Sequence, residues 1–260
     1  MILSKYIVPL LFGTAVIFSA AGCGGTNEAS EQGGKWRVGT DASYAPFGFQ
    51  DEKTHAYVGY DIDIIHAIAA AQGHEVEIKN LNFDGLIPAL QTGDLDIAIS
   101  DMTINEERAK SVDFTDSYYK AGLSIVVRAD ETRYNAFEDL RGQKVGVTIG
   151  STGAEVGATI PEVQLREYST ISDAFLDLQN GGVDAVVNDT PVDEYYVQGR
   201  GKGIAKVVPA QINQEDLGIA VKKGNTELLG QLNAGLRTIK ENGTYAEIYR
   251  KWFGKEPPVQ

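Results

Sequence analysis

The period of apolar positions changes repeatedly along this chain, and each change marks an element. Residues 36–40 (WRVGT) predict a short strand, and 41–47 a loop, because Pro46 restricts Ala45 and has no N–H to donate. Ile62, Ile65, Ile68 and Ala69 share one face at helical spacing, and Gly73 ends that helix. Residues 76–79 predict a strand, and 83–92 a helix with Leu86, Ile87 and Leu90 inward, stopped by Gly93. Pro88 falls in the first turns of that helix, where a missing N–H costs least. In 95–100, Leu95, Ile97 and Ile99 alternate with Asp96 and Ala98, the period of a strand. Three strands with two intervening helices predict a parallel βαβαβ unit.

A second unit follows Phe114. Strands are predicted at 123–128, 144–148, 163–168 and 183–187. A short helix and turn falls at 137–142, a helix opens after Gly150-Ser151-Thr152-Gly153, and another covers 172–180 with Ala174, Phe175 and Leu178 inward, stopped by Gly181-Gly182. The run DAVVND at 184–189 echoes DIAISD at 96–101, an echo of shared architecture. A strand at 217–222 and helices at 228–241 and 245–253 close the chain. The first of these helices carries Leu229, Leu232, Leu236 and Ile239 on one side.

Composition narrows the class. A length of 260 residues allows one large or two modest domains, and 43% hydrophobic residues suffice for a core. A net charge of −13 argues against a nucleic-acid partner, which needs a basic face. Residues 1–22 predict a signal segment: Lys5 is a thin basic start, 6–17 are apolar, and Ser19-Ala20-Ala21-Gly22 are small. The apolar run falls short of the roughly 20 residues a membrane span needs. Cys23, the one cysteine, follows directly and cannot form an internal disulfide. Its position resembles a bacterial lipobox, in which the cysteine is lipidated, although Ala20 stands where Leu is commoner. Residues 24–34 (GGTNEASEQGG) then predict a flexible tether. Loss of 1–22 removes only Lys5 among charged residues and takes the net charge to −14.

The chemistry concentrates between Asp94 and Asp116. Strand 95–100 ends at Ser100-Asp101, Met102 to Ile104 turn, and Asn105 can cap a short helix carrying Glu106, Glu107 and Arg108. Ser100, Thr103 and Arg108 can therefore converge on one small anion, and the planar fork of Arg suits a carboxylate. Parallel sheets bind ligands beyond the carboxyl ends of their strands. Asp41, Tyr44, Phe83, Ser100, Asp101 and Thr103 all fall at such ends in the first half, and Thr148, Thr152 and Asp189 in the second. Other chemistries lack parts. The predicted fold holds no cysteine for a nucleophile or a metal, and His66 and His74 are not spaced as a metal pair. GSTG lacks the Lys-Ser/Thr ending of a phosphate-binding loop, and Asp61 and Asp63 face apart at a helix start. No metal and no cofactor is expected.

Five motifs in order carry a resemblance: GTDASYAPFGF at 39–49, GYDIDI at 59–64, FDGLIPALQTGDLDIAISDMTINEER at 83–108, GSTGAE at 150–155 and NDTP at 188–191. The chain from about Lys35 onward resembles the polar amino-acid-binding solute-binding proteins of ABC importers (family 3), in a lipoprotein form. The resemblance implies a two-lobed, periplasmic-binding-protein-like α/β fold of type II. Each lobe would be a mainly parallel sheet flanked by helices, and two strands would cross between them. Residues 35–120 and 218–258 would form lobe 1, and 121–217 lobe 2. Arg108, Thr103 and Ser100, with N–H groups at Thr152, would take the ligand α-carboxylate, and Asp189 its α-ammonium. Tyr44 and Phe83 would sandwich the ligand side chain, and Asp41 would meet its far end. Asp61 would contact ligand or cap its helix. Asp101 stands where Gly, Ser or Ala is usual, and either lines the pocket or points to solvent. Thr148 is short where glutamine receptors tend to place Lys, which puts arginine or lysine ahead of glutamine. The implied protein is a monomer, lipid-anchored on the extracellular face, that closes on its ligand and serves a membrane permease. Two other classes stay open. One is an enzyme on the same fold, such as a cyclohexadienyl dehydratase-like lyase, whose amine-free substrate would not need Asp189. The other is a sensor domain.

Overall fold

Two five-stranded sheets organise the computed structural model, which describes residues 34–258 apart from the side chains of 209–213. The signal segment, Cys23 and all but the last residue of the expected tether lie outside the described residues. The first sheet opens with β1 (Lys35–Thr40). A small antiparallel hairpin follows, starting in the loop predicted at 41–47 and running beyond it: β2 (Ser43–Tyr44), β3 (Gly48–Gln50) and β4 (Tyr57–Val58). Strands of two or three residues are too short for an alternation to register. Gly59 ends the hairpin at φ +143°, and a Cβ there would meet the Phe47 carbonyl oxygen at 1.9 Å, so no other residue fits. Next come α1 (Tyr60–Ala71), β5 (Glu75–Asn80), α2 (Phe83–Thr92), β6 (Ile97–Ala98), α3 (Glu106–Ala109) and β7 (Val112–Phe114).

The chain then leaves this sheet along β8 (Tyr119–Arg128). The second sheet adds β9 (Lys144–Thr148), α4 (Thr152–Gly157), β10 (Gln164–Tyr168), α5 (Ile171–Asn180), β11 (Ala185–Asp189), α6 (Thr190–Gln198) and β12 (Ala205–Leu217). The return to the first sheet brings β13 (Ala220–Lys222), α7 (Thr226–Glu241) and α8 (Thr244–Phe253). Sheet order is β5-β1-β6-β13-β7 in the first and β10-β9-β11-β8-β12 in the second. In each, three parallel strands are joined by two antiparallel pairings, so four strands run one way and one against. β8 and β12 pair with each other as they pass between the sheets, Ala121 opposite Glu215 and Tyr119 opposite Leu217.

Burial follows the predicted faces. Ile62, Ile65, Ile68 and Ala69 of α1 are buried, and Ile65, Ile68 and Ala69 join one core with Leu232, Leu236 and Ile239 of α7 and Tyr245 and Tyr249 of α8. Each such aliphatic side chain stabilises the fold by roughly 1.5–3 kcal/mol. Leu86 and Leu90 of α2 pack with Leu95, Met102 and Val112 on the other face of the first sheet. β6 is shorter than the strand predicted at 95–100, but the pairing continues on either side, from Asp96 N to Arg37 O at 2.9 Å and from Ile99 N to Gly39 O at 3.1 Å. The sequence pattern assigns nothing to 190–198 or 205–216, where α6 and most of β12 form. Among the described residues no helix is long and apolar enough to cross a membrane.

Candidate functional site

The carboxyl ends of β1 and β6 lie side by side, and short polar loops leave them. Asp41 follows β1. Its carboxylate accepts hydrogen bonds from the Ser43 N–H (3.0 Å), the Ser43 hydroxyl (2.7 Å) and the Phe83 N–H (3.2 Å). Its own N–H donates to Ser100 Oγ at 2.9 Å. Asp41 and Ser100 thus fasten the hairpin, the start of α2 and the end of β6 to one another. Burial pushes the Asp41 carboxyl above the usual carboxylate range, against the pull of the Ser43 hydrogen bonds.

Asp101 comes next, at φ +50°, a left-handed conformation that Asp tolerates better than most residues. Its N–H donates to Asp61 Oδ2 at 2.8 Å, and Asp61 Oδ1 accepts the Tyr118 hydroxyl at 2.8 Å. Burial raises the Asp61 carboxyl to about 7, although both hydrogen bonds favour the ionised form. Asp61 therefore neither caps α1, whose N-cap is Gly59, nor lines the cavity; it braces the backbone of Asp101. The Asp101 side chain is 4% exposed, and neither carboxylate oxygen has a hydrogen-bond partner.

Asn105 caps α3 as the sequence predicts, its side chain accepting the Arg108 N–H at 2.8 Å. Arg108, 7% exposed, donates from Nη1 to Thr103 O at 2.9 Å and from Nη2 across the cleft to Gly150 O at 3.0 Å. Its guanidinium lies 5.1 Å from the centre of the Phe83 ring. Burial lowers the Arg108 pKa, while Glu155, Asp189 and Glu215 favour the cation.

From the other side, the loop after β9 brings Ser151, whose hydroxyl caps α4 by accepting the Ala154 N–H at 3.1 Å. Gly153 lets α4 sit directly on β11, since a Cβ there would lie 2.7 Å from Val187 O. β11 ends at Asp189. The Tyr44 hydroxyl crosses the cleft to donate to Asn188 Oδ1 and lies 3.2 Å from Asp189 Oδ2. Behind it, the Asn188 amide donates to Asp193 at 3.2 Å, and Asp193 accepts the Ser124 hydroxyl at 2.7 Å. Glu215 Oε2, from β12, accepts the hydroxyls of Thr103 (2.6 Å) and Thr152 (3.0 Å), one from each side.

These groups close around a narrow cavity of about 10 Å³, lined by Tyr44, Phe83, Asp101, Thr103, Arg108, Ser151, Thr152 and Asp189. Seven of the ten residues singled out from the sequence are brought together here. The other three, Asp41, Ser100 and Thr148, are buried but do not line the cavity. Sequence reasoning missed Ser151, Asn188 and Glu215. Ser151 and Asn188 stand inside quoted motifs, beside Thr152 and Asp189, and that position could have found them. Glu215 carries no such signal, because it belongs to a strand with no readable period.

The cavity wall holds two acids and one base, Asp101 and Asp189 against Arg108. Asp101 and Asp189 contribute three oxygens without hydrogen-bond partners, and Arg108 is the one cation in the wall. Burial, and then Glu215, raise the Asp189 carboxyl to about 7, against the pull of Tyr44 and Arg108. Burial, and then Asp189, raise Asp101 well above its ordinary range. A zwitterion bearing a further positive charge would balance such a wall; an anion would not.

Two α/β lobes joined by a pair of crossing strands, with a polar cleft between them, define the class of two-lobed solute-binding proteins. The chain belongs to the bacterial extracellular solute-binding proteins, family 3, whose model matches residues 36–255. It is 34% identical to a probable histidine-binding protein of Neisseria gonorrhoeae, over 98% of this chain and 97% of the relative. It is 38% identical to ABC transporter arginine-binding protein 1 of Escherichia coli K12, over 84% of this chain and 90% of that one. Among solved structures, an ancestral arginine-binding protein bound to arginine superposes with a TM-score of 0.83 at 45% identity, covering 86% of this chain and all of that one.

Proposed function

We propose that the protein captures a cationic L-amino acid, arginine or lysine ahead of glutamine, outside the membrane and hands it to the permease of an ABC importer. The lobes divide as 35–120 with 218–258 against 121–217, and they close on the ligand. Arg108 takes the α-carboxylate, using donors not already spent on Thr103 O and Gly150 O. The Thr103 and Thr152 hydroxyls are committed to Glu215, so their part is to shape that end of the cavity. Asp189 takes the α-ammonium, Asp101 a positive group of the ligand, and the rings of Tyr44 and Phe83 flank its stem. Cys23 carries a lipid that holds the exported chain at the cell surface, after removal of 1–22.

One observation carries the choice of ligand: three unpartnered, buried carboxylate oxygens face a cavity whose one cation is Arg108. The same oxygens favour an amino-bearing ligand over the amine-free acid of a dehydratase. A chain similar to arginine- and histidine-binding relatives fits this reading. Calorimetry with arginine, lysine, glutamine and glutamate at one salt concentration tests it. Arginine or lysine should bind more tightly than glutamate by at least about 3 kcal/mol, over a hundredfold. Arg108→Ala should lose at least about a hundredfold in affinity, because truncating one side of a buried charged pair strands the other. Glutamate binding as tightly as arginine would overturn the proposal.

A further inference from the structure

The acids of the cleft are divided between the two lobes. Asp101 belongs to the loop that follows β6, and Asp189 to the end of β11. Both are nearly buried, at 4% and 5% exposure, and both line the same cavity. Between them they present three carboxylate oxygens with no hydrogen-bond partner. Asp101 cannot easily turn away, because its N–H is tied to the buried carboxylate of Asp61. Other charges facing Asp101 are Asp61 of α1, Glu215 of β12 and Arg108 of α3; Asp189 faces Glu215, Arg108 and the Tyr44 hydroxyl, with Asp193 beneath. Tyr44, Tyr118 and Tyr119 are the tyrosines that face Asp101. Glu155 of α4 also acts on Arg108, so one guanidinium stands among six carboxyls.

Closing the lobes brings Asp101 and Asp189 together in a site that sheds water, where like charges repel most. We propose that Asp101 is a specificity-determining residue that acts as a gate: its repulsion from Asp189 holds the unliganded lobes apart, and a cation seated between them releases closure. The proposal rests on the reading of the cleft as a cationic amino-acid site. A ligand that brings two positive groups satisfies both carboxylates. A ligand that brings one leaves a buried charge unpaired and closes the lobes poorly. Protons substitute in part: the empty closed form takes up a proton that the open form does not, so lower pH favours closure of the unliganded protein.

Asp101→Asn is the test, because Asn keeps the shape and tolerates the left-handed backbone. Small-angle X-ray scattering of the ligand-free protein reads lobe opening, and calorimetry reads affinity for arginine and for glutamine. The native chain should be more extended without arginine than with it, and should grow more compact as the pH falls from 8 to 5. The ligand-free variant should be more compact than native at pH 8, with a flatter pH response. The ratio of arginine to glutamine affinity should fall by at least about tenfold. A general structural defect would weaken both ligands alike. A variant as extended as native, with the ratio within about twofold, overturns the gate while arginine binding by the native chain leaves the ligand reading intact. If no amino acid binds the native chain and the variant still compacts, the gate holds and the ligand reading fails. Asp189→Asn, measured by the same scattering, supplies the result from the opposite lobe if Asp101→Asn does not fold: a ligand-free variant more compact than native at pH 8 supports the gate, and one as extended as native overturns it.

Discussion

Asp61 does its work one layer behind the cavity. It sits in GYDIDI, where sequence position allows a helix cap or a ligand contact, and it is neither. Its carboxylate holds the Asp101 N–H and the Tyr118 hydroxyl in a fully buried place. The cost appears in its titration. The folded-state value is about 7, against roughly 3.9 unfolded. Between those values the folded chain holds a proton that the unfolded chain has lost, so stability falls as pH rises through that window and levels off above 7. Asp61→Asn still offers an oxygen to the Asp101 N–H but does not titrate. Urea unfolding at pH 5 and pH 7.5 should show the native chain losing stability relative to the variant, by on the order of 2 kcal/mol. Parallel losses in the two chains would remove the charge from the account. The residue scale was also where sequence was most informative about the site. Arg108, Thr103 and Asp101 follow a strand with a clear period, and each lines the cavity. Glu215 does not follow such a strand, and only the folded backbone brings it to Thr103 and Thr152.

At the scale of elements, legibility followed length and period. α1, α2, α5 and α7 each bury a stripe that their spacing announces. α6 was not readable because TPVDEYYVQ mixes acids and aromatics with no repeating face. β12 was hidden by register shifts between Val208 and Ile212 and between Ile212 and Glu215, which break any alternation. The placement of α4 shows what an element can require of one residue. Gly153 permits its first turn to rest on β11, and that contact sets Ser151 and Thr152 against the cavity. In Gly153→Ala the new Cβ meets the Val187 carbonyl, a backbone atom that cannot swing aside. The variant should lose about 1–3 kcal/mol of stability in urea unfolding, and its arginine affinity should fall about tenfold or more in calorimetry. An affinity equal to native would mean that the start of α4 does not position the site.

For the whole molecule, address and assembly order both follow from where segments lie in the chain. The proposed anchor, Cys23, stands ahead of the first strand in the chain. A lipid adds about 0.8 kcal/mol of membrane affinity for each buried CH₂. Cys23→Ser should therefore move the protein from the membrane fraction to the soluble fraction of the cell; a variant still sedimenting with membranes would assign the anchor elsewhere. Assembly order turns on β13, which lies between β6 and β7 in the first sheet although it follows β12 in the chain. β7 and β6 have no contact in the sheet except through it. The strands of the second sheet, by contrast, form one unbroken stretch from β8 to β12. On a chain emerging from its N-terminus, the sheet begun second can be completed first. The sheet begun first must wait, with β6 presenting an unpaired edge, until Ala220 arrives. A truncation anywhere before that residue would leave this edge open to pairing with another chain, which makes the arrival of β13 the step that covers it.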